Sequence, residues 1–272
     1  MSGSNVVART CSIIFLTIVL GFLLTPLLYV AFGSLNASTL EFPPRTLSIE
    51  SYRTIPEAFF DGLRVSLIVA AAATVLATPL GVAAALGIVR GRFGGRELLN
   101  GFLLSPLLLP MLVLGVALYQ FYVVIDRTAD TAITGSLVGL ILGHTSFCIP
   151  YVARAVIPAL TQMPPSLEEA AHDLGASTWY AFSRVTLPAI RPGLAGGIAF
   201  AFLTSFDNFP MSLFLVEGDN TTLPVVMFQF IQFDLKPTIL AMSTLVIIFS
   251  MAAMLFIEKT VGLASLVGLH ED

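Results

Sequence analysis

The sequence predicts an all-α membrane protein with six transmembrane helices. Of its 272 residues 56% are hydrophobic and 11% charged, whereas a soluble domain carries about 25% charged residues. Its mean hydropathy is +0.91, and its few charges cluster between long apolar runs. A polytopic helical protein separates water-facing connections from buried spans in this way. The net charge of -4 is spread out and contains no long basic run, so no nucleic-acid partner is expected. Cys11 and Cys148 both lie in apolar segments far apart in sequence and read as small apolar fillers, not as a disulfide or a metal pair.

Crossing about 30 Å of hydrocarbon takes about 20 helical residues. Uncharged stretches of that length run roughly from Cys11 to Phe32, Val65 to Val89, Gly101 to Ile125, Thr134 to Val152, Leu194 to Val216 and Pro237 to Ile257. Arg9 precedes the first, as it would precede a signal peptide, but the run is longer than the usual apolar region of about 7–15 residues. An uncleaved anchor is therefore expected. Pro79, Gly81, Pro106, Pro110, Gly139, Gly143 and Pro150 lie inside the spans and are assigned to close packing and bends.

Orientation follows from Lys and Arg, which accumulate on the cytoplasmic side. With the N-terminus inside, the inner segments hold Arg9, Arg90, Arg92, Arg96, Arg154, Arg184, Arg191 and Lys259, against Arg45, Arg53, Arg64, Arg127 and Lys236 outside. The short basic connection Arg90-Gly-Arg-Phe-Gly-Gly-Arg96 carries most of the asymmetry. Both termini are expected to be cytoplasmic. The outer segment from Gly33 to Gly62 holds Glu41, Pro43, Pro44, Glu50, Tyr52, Glu57 and Asp61 before Phe59 and Phe60 reach the second span. It reads either as a short helix along the interface or as a solvated loop.

The fourth-to-fifth connection, Met163 to Pro188, is the most informative stretch. Pro164 and Pro165 stop what precedes, Ser166 is placed to cap a first helix, and Glu169 stands three residues on to complete a capping box. Gly175 ends that helix in the left-handed conformation. Ser177 starts a second helix through Arg184, and Pro188 and Pro192 punctuate the return to the membrane. Ala170, Ala171 and Leu174 make the first helix approachable, while Trp179, Tyr180 and Phe182 offer bulky anchors. Such faces suit a helix laid into a partner's groove. The chain has no Gly-Lys-Ser/Thr phosphate loop, and its only lysines are Lys236 and Lys259, so energy is expected from another subunit or an ion gradient.

The pattern Glu169-Ala-Ala171, then Gly175, then Val185-Thr-Leu-Pro188 resembles the Glu-Ala-Ala loop of permeases from binding-protein-dependent ABC importers. Asp173-Leu-Gly-Ala176 and the stretch Val185 to Pro192 are similar to the spermidine/putrescine-type permeases. Val185 stands where that family more often has isoleucine. The resemblance implies a type I importer permease in the bacterial inner membrane: an N-terminal helix and periplasmic connection (1–62), a five-helix core (63–263) carrying a cytoplasmic coupling loop (163–190), and a cytoplasmic tail (264–272). It implies an ATPase dimer holding ATP and Mg, a second permease that is generally a paralogue, a periplasmic binding protein, and no cofactor on this chain. Glu168, Glu169, Ala170, Ala171, Asp173, Leu174, Gly175, Ala176, Trp179, Phe182 and Pro188 would form the ATPase-coupling surface. A polyamine or related cation is the expected solute. Iron, thiamine, phosphonate, an opine or another amino-acid derivative are alternatives within the family, and an ATP-independent secondary transporter is the alternative outside it.

Asp207 is the strong anomaly within the spans, since a carboxylate at mid-bilayer costs roughly 2.5–3.5 kcal/mol on insertion scales. Pro210 removes a helix bond near the Phe206 carbonyl and opens a polar notch beside Asp207 and Asn208. With Thr204 on the same face, these residues either line the solute path and receive a cationic group or hold a helix–helix hydrogen bond. Gln120 and His144, with Tyr122 and Ser146, border the outer half of the path or serve packing. His144, His172 and His270 are dispersed and no nucleophile or metal cluster is evident in the sequence, so catalysis on the solute is not expected.

Overall fold

The computed structural model describes residues 3–36, 44, 46–233 and 236–261. Helix α1 spans Gly3–Gly33, α2 Glu50–Arg53, α3 Glu57–Arg90 and α4 Arg96–Leu104. After a 3-10 turn at Ser105–Leu107 come α5 (Met111–Ala129), α6 (Leu137–Gln162), α7 (Ser166–Asp173) and α8 (Thr178–Ala181). A π-helical turn, Phe182–Thr186, leads into α9 (Leu187–Phe206), followed by α10 (Ser212–Leu215), α11 (Leu223–Phe233) and α12 (Pro237–Val261). Among the described residues, 6 helices are long and apolar enough to cross a membrane, ending or beginning close to the expected spans in the first and last cases. Arg45, the Glu41 and Pro43 stretch of the outer segment, His270 and the expected tail 264–272 lie outside the described residues.

The chain divides into two compact units, Met1–Phe59 with Met227–Phe249, and Phe60–Val226 with Ser250–Asp272. In the first, α1 keeps its apolar side chains uncovered by this chain, Phe22 being 79% exposed, as suits a helix whose solvent is lipid. Among its described residues, the segment between the first two spans contains the short helix α2. It is tied to the end of α1 by Ser34 Oγ to Tyr52 Oη at 2.7 Å and by Ser51 Oγ donating to the Asn36 carbonyl at 3.1 Å.

In the second unit α6 is the central helix. Its Leu140, Phe147, Val152, Val156 and Leu160 are fully buried against Val69, Ala73 and Ala77 of α3 and Ile190 and Ala201 of α9. The crossing of α6 and α9 is close because Gly193 and Gly197 face it. A Cβ at Gly193 would lie 2.5 Å from the Ala155 carbonyl oxygen, and one at Gly197 3.0 Å from the Val152 Cα. This is the small-residue route to helix association where lipid offers no hydrophobic drive.

Several expected boundaries are corrected. The third span begins at Met111, not Gly101, because Pro106 and Pro110 divert residues 101–110 into the end of α4 and a 3-10 turn. The second and fourth run longer than expected, to Glu57–Arg90 and Leu137–Gln162. Pro79, Pro150 and Pro158 are carried inside those helices, as membrane helices tolerate. The fifth runs from Thr178 to Phe206, not Leu194 to Val216. It begins within the connection that follows the fourth span and stops before Asp207. Pro188 and Pro192 do not punctuate it: Pro188 follows directly on the π turn and Pro192 stands one turn later, both inside the helix that runs on from Thr178.

Candidate functional site: the loop between the fourth and fifth spans

The loop folds as two helices set by their ends. Ser166 is not a cap: Pro165 occupies that position without a side-chain hydrogen bond, and the Glu169 N–H donates to the Pro165 carbonyl at 3.1 Å. The capping box therefore does not form. Fixed φ at Pro164 and Pro165 orders the entry instead.

The far end matches the expectation. Gly175 has φ +87°, its N–H donates to the His172 carbonyl at 2.8 Å, and the Ala176 N–H donates to the Ala171 carbonyl at 3.0 Å. This pair of bonds is the Schellman ending, which needs a left-handed residue. Ser177 caps α8 as expected, its Oγ accepting from the Tyr180 N–H at 3.3 Å. The second helix then departs from the expected stop at Arg184 and runs through the π turn into α9.

These constraints sort the expected coupling residues. Glu169, Ala170, Asp173, Leu174, Gly175, Trp179 and Pro188 are exposed, while Ala171 and Ala176 are half-buried. Leu174 is 89% and Trp179 74% exposed, far more than apolar residues with partners in their own chain. Phe182 differs from the expected outward anchor. It is half-buried against the core, its ring 5.6 Å from that of Trp179. Trp179 and Phe182 border a hollow of about 860 Å³ whose other walls are Pro79, Val82 and Leu86 of α3 and Leu187 and Leu194 of α9.

Glu168 also turns inward. Its Oε2 lies 3.0 Å from Arg90 Nε, and its Oε1 accepts from the Thr186 hydroxyl at 2.6 Å. The Arg90 Nη2 donates to the Met163 carbonyl at 3.0 Å. Arg90 stands in the last turn of α3 and Glu168 in the first turn of α7, so each charge also complements its own helix dipole. The roles of Arg90 and Thr186 escape a reading of the sequence: the arginine registers only as part of the basic connection, and the threonine only as a member of the string Val185 to Pro188.

The second polar region lies where α9 ends. Asp207 follows the last helical residue, Phe206, and is exposed, whereas Asn208 is buried. Residues 207–211 are non-helical before α10 resumes at Ser212. The break is wider than the single bond that Pro210 alone would remove. His144 of α6 spans it: Nδ1 is 2.8 Å from Ser205 Oγ on one side and Nε2 3.0 Å from Ser212 Oγ on the other. Ser212 donates its hydroxyl to the Asn208 carbonyl at 2.6 Å, so it must accept from Nε2–H, leaving Nδ1 to accept from Ser205.

With 1% exposure and both ring nitrogens engaged, His144 braces α6 against the two sides of the break. Thr204 is half-buried and Gln120 exposed on α5. The described contacts join neither to Asp207. Ser205 and Ser212, the partners of His144, are the residues that the sequence did not single out.

A family profile described as the inner membrane component of binding-protein-dependent transport systems matches residues 77–260. Among curated proteins, the putrescine transport system permease protein PotI of Escherichia coli (strain K12) is 32% identical over 253 residues, covering 91% of this chain and 89% of that protein. The spermidine/putrescine transport system permease protein PotC of Haemophilus influenzae is 26% identical over 240 residues, covering 88% and 91%. Among solved structures, a chain of a bacterial ABC transporter involved in the import of the acidic polysaccharide alginate superposes with a TM-score of 0.78 at 14% identity. That superposition covers 95% of this chain and 98% of the other. At that identity the likeness establishes the fold, and the six apolar helices and the matched profile agree with it. The chain therefore belongs to the family of inner-membrane components of binding-protein-dependent transport systems, as a multi-pass transport subunit.

Proposed function

We propose that this permease forms half of the translocation path of an ATP-driven importer for a polyamine or related small organic cation. A periplasmic binding protein delivers the solute, a paralogous second permease completes the path, and an ATPase dimer, holding ATP and Mg, closes beneath the two. Spans two to six serve as the permease core, and both termini lie in the cytoplasm with the basic connection at Arg90–Arg96.

The observation that carries the coupling role is the exposure of Leu174 and Trp179 on a loop whose ends are fixed by Gly175 and Ser177. A rigidly ended apolar surface at a cytoplasmic connection suits a groove on a partner that pushes and pulls. Relatives named for putrescine and spermidine transport support the solute class. The exposed carboxylate of Asp207, at the end of the fifth span, supports a cationic solute.

The test uses the assembled transporter and labelled putrescine. Glu169→Arg is expected to remove the ATPase from the purified complex and to lower uptake at least tenfold. Unchanged copurification together with unchanged uptake rules out the coupling role of the loop. Asp207→Asn is expected to accumulate normally while slowing uptake several-fold, because a neutral amide no longer compensates the passing cation. Unaltered uptake kinetics in that variant would exclude Asp207 from the path.

A further inference from the structure

We infer that Arg90, Glu168 and Thr186 form a clasp that carries displacement of the coupling loop into the cytoplasmic ends of the second and fifth spans, making Glu168 a positioning residue and not an ATPase contact. The inference rests on the proposed coupling role of the loop. Its basis is the number of elements that one carboxylate gathers. Glu168 belongs to α7, pairs with Arg90 at the end of α3 at 3.0 Å, and accepts from Thr186 in the π turn at 2.6 Å. Arg90 in turn donates to the Met163 carbonyl at the end of α6. Three elements thus meet at a single carboxylate, and the end of α6 joins them through Arg90.

The surroundings make this joint stiffer than a surface ion pair. The side chains of Arg90 and Glu168 are 22% and 21% exposed, Thr186 is buried, and the apolar hollow beside them is walled by Val82, Leu86, Phe182 and Leu187. Exposed ion pairs are weak because water screens them and both side chains must be ordered. Here both costs are already met, since Arg90 is also fixed by Met163 and Glu168 by Thr186. The neighbouring acid, Glu169, is exposed and free to meet a partner. Adjacent carboxylates thus divide the work: one faces outward and one locks the loop to the membrane domain. The π turn that supplies Thr186 is a geometry that recurs at functional positions within helices.

The experiment compares wild type, Arg90→Gln, Glu168→Gln and the double variant in the complete transporter reconstituted with its binding protein. Three readouts are taken: ATPase content of the complex, solute uptake, and ATP hydrolysed per solute imported. Each single variant is expected to retain the ATPase, to lose at least tenfold in uptake, and to hydrolyse at least fivefold more ATP per solute. The double variant should be no worse than twofold beyond the poorer single one, because both remove the same interaction. Arg90→Lys keeps the charge but cannot hold the Glu168 carboxylate and donate to the Met163 carbonyl from separate guanidinium nitrogens, and is expected to fall between wild type and Arg90→Gln. It also serves where the glutamine variants do not accumulate.

An unchanged ATP-to-solute ratio overturns the inference, as does loss of ATPase content in step with uptake, which would make the pair a support for the docking surface only. If wild type itself imports without an ATPase, the proposed function fails rather than the clasp alone.

Discussion

Gly193→Val is expected to prevent most of the protein from reaching a folded state in the membrane. The Cβ position at Gly193 lies 2.5 Å from the backbone oxygen of Ala155, and a carbonyl in a helix cannot swing aside as a side-chain terminus can. Accommodating a branched side chain means forcing α6 and α9 apart, and those helices share an extensive interface. Overpacking costs about 1–3 kcal/mol where neighbours can relax; a clash with backbone belongs at or above the upper end. The separation would also strip Val152 and Val156 of their partners. Yield of monodisperse protein and the thermal midpoint in detergent measure the effect. Gly21→Ala is the control, since nothing lies within 4 Å of its Cβ position. Wild-type yield and midpoint in Gly193→Val would show that the crossing is looser than described.

The second large effect is expected at Gly175, for the opposite reason. Nothing lies within 4 Å of its Cβ position, so space is not the constraint and backbone conformation is. At φ +87° a β-branched residue is a strong outlier. Gly175→Val should unwind the Schellman ending, displace Ser177 from its capping position, and lower uptake at least tenfold with the membrane domain intact. Gly175→Asn should retain near-wild-type uptake, because asparagine tolerates the left-handed region. Equal uptake in the valine and asparagine variants would show that the helix ending has no part in coupling. Retained thermal stability in Gly175→Val separates this effect from the failure expected at Gly193.

Much of the fold was legible because hydrocarbon imposes a length and a charge pattern that can be read one residue at a time. The spans and the Gly175 and Ser177 helix ends required only local information. The errors share a cause. Proline reads as punctuation at Pro188 and Pro192, whereas both lie within the helix that runs from Thr178 to Phe206. Conversely, Pro106 and Pro110 were read as bends within a span when they shorten it. Whether a proline stops a helix depends on what surrounds it, and that is a property of the assembled bundle.

The site was legible to the same degree. The exposed residues Leu174 and Trp179 follow from a loop pattern, but the clasp joins positions as far apart as Arg90, Glu168 and Thr186, which no local spacing relates. His144 shows the same limit. Its polarity in a span was visible, but its burial and its two serine partners became apparent only once α6 and the broken fifth span were placed side by side.

The π turn at Phe182–Thr186 has a consequence in rotation. An α-helix advances about 100° per residue, so a turn holding one additional residue shifts the phase of all that precedes it by about that angle. Without it, Trp179 and Tyr180 would leave the axis in a different direction relative to the Gly193 and Gly197 stripe that docks on α6. The turn therefore works as an indexing step in a continuous shaft, setting the compass bearing of Trp179 and Tyr180 independently of the bearing at which the same helix seats against α6.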